Sequence, residues 1–197
     1  MMRKTIGWII TLTLLAVLTA GCTSQFQEYY PLHISNQWTY RVEDFNGRIS
    51  ENVERIIKRT GDTYHFNNKE IILRLPGQGL VNKQGVIILR EPIKLGEKWI
   101  ESQMTFEITA LNKEVIVPAG TFNETIEVTW TSQFPGEALI KPGVMPTLEP
   151  GPNPRVFIYI ITYAKNVGKI KEEYHAIQPD GTKSREFLSE LSSYTLR

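Results

Sequence analysis

Apolar and polar residues alternate with a period of two over most of this chain. Trp38, Tyr40 and Val42 alternate with Gln37, Thr39, Arg41 and Glu43, and Ile126, Val128 and Trp130 alternate with Thr125, Glu127 and Thr129. Successive side chains of a strand point to opposite faces, so this spacing predicts half-buried β-strands. Asn46-Gly47 directly after the first run marks a two-residue hairpin turn. That makes Arg48 to Arg59 a returning strand, although Ile49, Val53, Ile56 and Ile57 also fit a helical stripe. The apolar spacing of Ser184 to Ser193 tolerates a helix in the same way.

Further hairpins follow. Tyr64 to Phe66 pairs with Ile71 to Leu75 over Asn67-Asn68, and Gly79 to Asn82 with Val86 to Arg90 over Lys83-Gln84-Gly85. Thr105 to Leu111 pairs with Glu114 to Val117 over Asn112-Lys113, and Gly168 to Ile177 with Lys183 to Leu196 over Asp180-Gly181. Pro92 to Glu97 reads as a loop before a short strand at Lys98-Trp99-Ile100. Val156 to Ala164 is apolar on both faces and predicts a central strand covered on both sides. About ten to twelve short strands with frequent turns indicate an all-β domain, an antiparallel meander forming a curved sheet or half-barrel.

One stretch breaks the alternation. Pro135, Pro142, Pro146, Pro150, Pro152 and Pro154 fall close together. Proline has no N–H for a sheet ladder, so 135–154 is expected to be an extended, exposed loop. Its apolar residues Leu139, Ile140, Val144, Met145 and Leu148 exceed what a solvated linker needs, which makes it a candidate partner surface.

The amino-terminal end carries a different signal. Arg3-Lys4 precedes an apolar run from Ile6 to Ala20, which ends in Gly21-Cys22. A basic start, a short apolar centre and small residues at the end describe a secretory leader, and the run is shorter than the ~20 residues of a spanning helix. Leu18-Thr19-Ala20-Gly21-Cys22 resembles the lipobox of bacterial lipoproteins. That resemblance implies a lipid on the Cys22 thiol, cleavage of residues 1–21, and attachment to a membrane through the lipid. It places the protein in the bacterial cell envelope, on the outer face of the cell membrane or on the outer membrane. Residues 22–28 then form a tether and 29–197 one domain.

Composition agrees with one domain of 176 mature residues, enough to bury a core without disulfides. Cys22 is the one cysteine, so the mature domain has no thiol for a disulfide, a metal or a nucleophile. With Arg3 and Lys4 in the leader, the mature chain carries 20 basic against 21 acidic residues, a net of −1. Near-neutrality without a basic aromatic cluster argues against nucleic acid as a partner.

Trp38-x-Tyr40, Val117-Pro118-Ala119-Gly120-Thr121-Phe122, and Tyr163-Ala164 followed by Val167-Gly168-x-Ile170-Lys171-x-Glu173 occur in that order. The set resembles a family of small bacterial envelope lipoproteins, some of them TapB-like and associated with type IV pili. Members usually begin Tyr-x-Pro-Leu-x-x-Gly-x-x-Trp-x-Tyr, which Tyr30 to Tyr40 follows with Ser35 at the glycine position. The resemblance implies an antiparallel curved sheet and an envelope protein partner, pilus-associated in some relatives. It carries over no catalytic residue. Read physically, Trp38 and Tyr40 are core rings, and Gly120 and Gly168 allow positive φ. The alternative is an aromatic ligand platform of Trp38, Tyr40, Tyr159 and Tyr163.

No motif for catalysis, metal or cofactor emerges. His33, His65 and His175 stand far apart, and Glu173 with His175 offers two ligands on one strand face, too few for zinc. There is no Gly-x-Ser-x-Gly elbow, and Gly77-Gln78-Gly79 lacks the lysine and helix of a phosphate loop. Glu172-Glu173, Glu124 and Glu127 are the carboxylates available for a fold to assemble into a pair. The leading expectation is a lipid-anchored, non-catalytic binding or scaffolding protein. The alternatives are a carrier or sensor of an amphiphile in a half-barrel, and then a hydrolase. A filled core, an open apolar pocket of ~300–1,000 Å³ or converging carboxylates would separate them.

Overall fold

The computed structural model describes residues 25–101, 104–141, 144–178 and 180–197, with side chains throughout except over 133–155. The leader and Cys22 lie outside the described residues. A single helical turn, α1 (Gln25–Tyr29), precedes the strands. Phe26 within it is fully buried, and the carbonyl of Glu28 accepts from the Asn166 amide. Residues 25–28, expected as tether, belong to the folded structure, because Phe26 has a core to enter.

Six strands form a first meander: β1 (Gln37–Glu43), β2 (Ile49–Thr60), β3 (Thr63–Phe66), β4 (Ile71–Leu75), β5 (Gly79–Asn82) and β6 (Ile87–Arg90). Then come β7 (Lys98–Glu101), β8 (Met104–Leu111), β9 (Val115–Val117), β10 (Gly120–Phe122), β11 (Thr125–Lys141), β12 (Val144–Ala164), β13 (Gly168–Ile177) and β14 (Lys183–Thr195). Twelve of these make one antiparallel sheet in the order β6-β5-β4-β3-β2-β1-β14-β13-β12-β11-β8-β7. The last strand thus pairs with the first, and the two meanders flank that joint.

The sheet curls into a nearly closed barrel. Its edges, β6 and β7, approach each other, and the Trp99 indole N–H donates to the Ile87 carbonyl at 2.8 Å. The all-β expectation holds, and both ambiguous segments are strands, β2 and β14.

Inward positions carry aromatic rings in register. Trp99, Phe106, Trp130, Tyr159, Tyr174 and Phe187 stand directly opposite one another across β7, β8, β11, β12, β13 and β14. The Trp99–Phe106 centroids lie 5.3 Å apart and the Trp130–Tyr159 centroids 5.0 Å, both stacked. Such cross-strand pairs contribute roughly 0.2–1 kcal/mol each beyond alanine.

Four sequence expectations need correction. Loop Phe45-Asn46-Gly47 has three residues: Asp44 N–H donates to the Arg48 carbonyl at 3.1 Å, and Gly47 takes φ +72°. The Asp44 carboxylate holds the turn by accepting from the amides of Asn46 and Arg48. Val115–Val117 does not return onto β8. It pairs with Gly120–Phe122 in a separate two-stranded ribbon, and Ala119 N–H between them donates to Leu191 O at 2.9 Å. The outer face of β12 is half-exposed at Ile158 and Ile160 rather than covered.

The predicted loop at 135–154 is strand. β11 and β12 continue as a hairpin, with Pro135 opposite Pro154 and Glu137 opposite Glu149, which leaves 150–153 as a bulge opposite Gly136. Prolines are accommodated because no other strand pairs with β11 beyond Thr131 or with β12 before Val156. Outward backbone positions there need no donor.

Candidate functional site

The barrel interior holds a pocket of about 140 Å³ between the two meanders. Phe66 and Ile72 line one wall, and Phe106, Trp130 and Tyr159 of the aromatic row line the other. Exposed Gln84, also in the lining, marks where the pocket meets solvent. The volume lies below the ~300–1,000 Å³ usual for organic-ligand pockets.

Charged groups also line this pocket: Glu54, Glu70, Lys169 and Glu172. The Lys169 ammonium lies 2.8 Å from Glu172 Oε2 and 3.4 Å from Glu54 Oε1, and 5.0 Å from the centre of the Tyr40 ring. Glu54 and Glu172 are 7% and 6% exposed. The Asn52 amide donates to Glu54 Oε1 at 3.5 Å, and the Tyr40 hydroxyl donates to the Lys169 carbonyl at 3.1 Å. No hydrogen bond from a described residue reaches Glu54 Oε2 or Glu172 Oε1.

Two carboxylates share one ammonium, so the fully ionised cluster has a formal charge of −1. Burial, then the charge of Glu54, pushes the Glu172 carboxyl up to about 8. Glu172 therefore holds a proton near neutrality. Burial likewise raises Tyr30, Tyr40 and Tyr163, so their hydroxyls stay protonated.

Local backbone irregularities assemble the cluster. Residues 169 and 172 are three apart and would fall on opposite faces of a regular strand. A bulge in β13 intervenes: Thr162 pairs with Lys171 but Tyr163 with Lys169, which leaves Ile170 unpaired and turns Lys169 to the inner face with Tyr163. Glu54 arrives from β2, directly opposite Trp38.

The structure places the residues singled out from sequence as follows. Trp38 and Tyr40 are 0% and 1% exposed, so neither forms an outer surface. Tyr159 and Tyr163 line the pocket. The side chains of Leu139, Ile140, Val144, Met145 and Leu148 lie outside the described residues. Glu173 meets His175 at 3.9 Å, and burial lowers the His175 pKa, which disfavours the charged form that an ion pair needs. Glu124 and Glu127 bind Lys165 and Lys113 at the surface, apart from the pocket. Among the described residues, no three His, Cys, Asp or Glu side chains converge as metal ligands. Sequence reasoning missed Glu54 and Lys169.

No family model matches the chain, and no curated protein matches it. Two solved structures are similar. A Bacteroides fragilis protein, provisionally classed as exported and having a YmcC-like fold, aligns over 85% of this chain and 99% of its own at 10% identity, with a TM-score of 0.50. A Parabacteroides distasonis protein, provisionally classed as a lipoprotein, aligns over 85% and 98% at 11% identity, with a TM-score of 0.43. The first likeness identifies the architecture: this chain has a YmcC-like fold.

Proposed function

We propose that this protein is a lipid-anchored, non-catalytic binding protein of the bacterial cell envelope, and that the barrel pocket is its binding site. The pocket carries the reading: it pairs aromatic walls with carboxylate oxygens that no described donor satisfies. The lipobox ending in Cys22 supports the location and the anchor. The likeness to a protein classed as exported, and an order of motifs that resembles TapB-like lipoproteins, support the reading.

A hydrolase using Glu172 as acid and Glu54 as its ionised partner is the second reading, favoured by the raised Glu172 pKa. Lys169 stands against it. Its ammonium contacts both carboxylates, where a hydrolytic pair would keep a water or a scissile bond.

Native mass spectrometry of the protein extracted from its own envelope tests the pocket. The expected result is the lipidated polypeptide plus one small molecule, absent from the pocket-filling variant Ile161→Phe. Equal masses for the two proteins would overturn it. Fatty-acid labelling tests the anchor: wild type is expected to take label and Cys22→Ser to take none.

A further inference from the structure

The pocket chemistry selects among ligands, on the reading that the pocket is the binding site. Lys169 is already engaged by both carboxylates and by the Tyr40 ring, so it offers little to an anion. The pocket lining holds three carboxyl groups, Glu54, Glu70 and Glu172, against the single ammonium of Lys169. An anionic guest would add to that acidic excess, and a neutral guest would leave the proton on Glu172. A cation can take the place of that proton, and Glu54 Oε2 and Glu172 Oε1 carry no hydrogen bond from a described residue.

The walls extend the argument. Phe106, Trp130 and Tyr159 present π-surfaces to the same cavity, and aromatic faces attract organic cations. A dry cavity of about 150 Å³ accommodates a benzene-sized guest, and this pocket is about 140 Å³.

We propose that the pocket takes a small organic cation, an amine or ammonium on a ring-sized apolar body, with the charged head at the Glu54–Glu172 pair and the body against Phe106, Trp130 and Tyr159. The groups facing the Glu54–Glu172 pair are Tyr40 from β1, Tyr163 from β12, Lys169 from β13, Tyr30 ahead of β1, and Glu70 between β3 and β4. At neutral pH the arriving ammonium displaces the Glu172 proton: the O–H bond breaks, the proton goes to solvent, and the carboxylate pairs with the guest.

Calorimetric titration of the full chain in neutral detergent tests this with benzylamine, benzyl alcohol and benzoate. Benzylamine is expected to bind at least about tenfold more tightly than either other probe. In buffers of different ionisation enthalpy it should release close to one proton at neutral pH. Its affinity should rise by up to about tenfold per pH unit below the Glu172 transition. Glu172→Gln should abolish the proton release and bring benzylamine within about twofold of benzyl alcohol. Glu54→Gln should weaken benzylamine selectively, and circular dichroism checks that each variant folds. If benzyl alcohol or benzoate binds as tightly as benzylamine, the cation preference falls while the pocket remains a binding site. If none of the three enters, the binding-site reading falls with it.

Discussion

The indole of Trp38 closes over Gly168, which lies 130 positions further along the chain. Trp38 Nε1–H donates to the Val167 carbonyl at 2.6 Å, and a Cβ built on Gly168 would meet Nε1 at 3.1 Å and Cε2 at 3.4 Å. Two motifs noted separately in the sequence are therefore one contact, between β1 and the turn that opens β13. Gly168 also takes φ +110°, which side chains rarely adopt.

Gly168→Ala is expected to destabilise the barrel by roughly 2–3 kcal/mol, from backbone strain together with crowding of a fixed ring. Denaturant melts would measure it. Trp38→Phe removes the crowded Nε1, so the double variant should lose less than the sum of the two single losses. Strict additivity would show that the contact does not matter.

Ser35, a residue with a Cβ, adopts φ +76°. Its amide donates to the Ile56 carbonyl at 2.9 Å, which holds the turn into β1 against β2. A left-handed conformation costs a non-glycine residue about 1 kcal/mol, partly offset by the greater freedom of glycine when unfolded. Ser35→Gly should raise the melting temperature slightly, by a net of roughly 0.5 kcal/mol. A fall would mean that the serine hydroxyl makes a stronger contribution than the backbone.

Glu172 predicts a stability that declines with pH. Burial pushes its carboxyl up to about 8 in the folded chain, against an ordinary value of 4.5. Between those values the folded chain binds more protons than the unfolded one. The stabilisation is fully present below the unfolded pKa and is lost as pH rises through the folded one. Glutamine imitates the protonated form at every pH. Glu172→Gln should therefore track wild type at about pH 4, below the unfolded value, and exceed it increasingly up to about pH 9, by on the order of 1–3 kcal/mol. Melting curves of both proteins across that range decide it, and a constant difference would overturn the assignment.

The strand pattern was legible because alternation in Trp38 to Val42, Thr105 to Leu111 and Thr125 to Thr131 reports a half-buried sheet directly. The binding cluster was not, and a single loop residue explains half of it. A two-residue turn at Asn46-Gly47 would set Arg55 opposite Trp38. The observed three-residue loop sets Glu54 there, and a one-residue slip exchanges the two faces of a strand. On the two-residue register Glu54 falls on the outer face of the strand. Lys169 was hidden by the bulge at Ile170, which has no signature in an alternating run. Joining β1 to β14 depended on long-range pairing that no local pattern encodes.

The arm formed by the ends of β11 and β12 is expected to be dispensable for folding. Strand β8 pairs with β11 only from Ile126 to Thr131, and β13 pairs with β12 only from Val156 to Ala164. Beyond those limits the two strands have each other alone, and an isolated two-stranded ribbon is marginally stable in water. Its removal shortens a connection within the hairpin, and the entropy of loop closure changes only slowly with length. Replacing Gly136 to Asn153 by a short Gly-Ser turn should therefore leave the melting temperature within a few degrees of wild type and leave benzylamine affinity unchanged, since every pocket-lining residue among those described is kept. A steep loss of stability would show that the arm folds back onto the barrel and supports it, and the 135–154 segment would then be part of the core rather than a free surface.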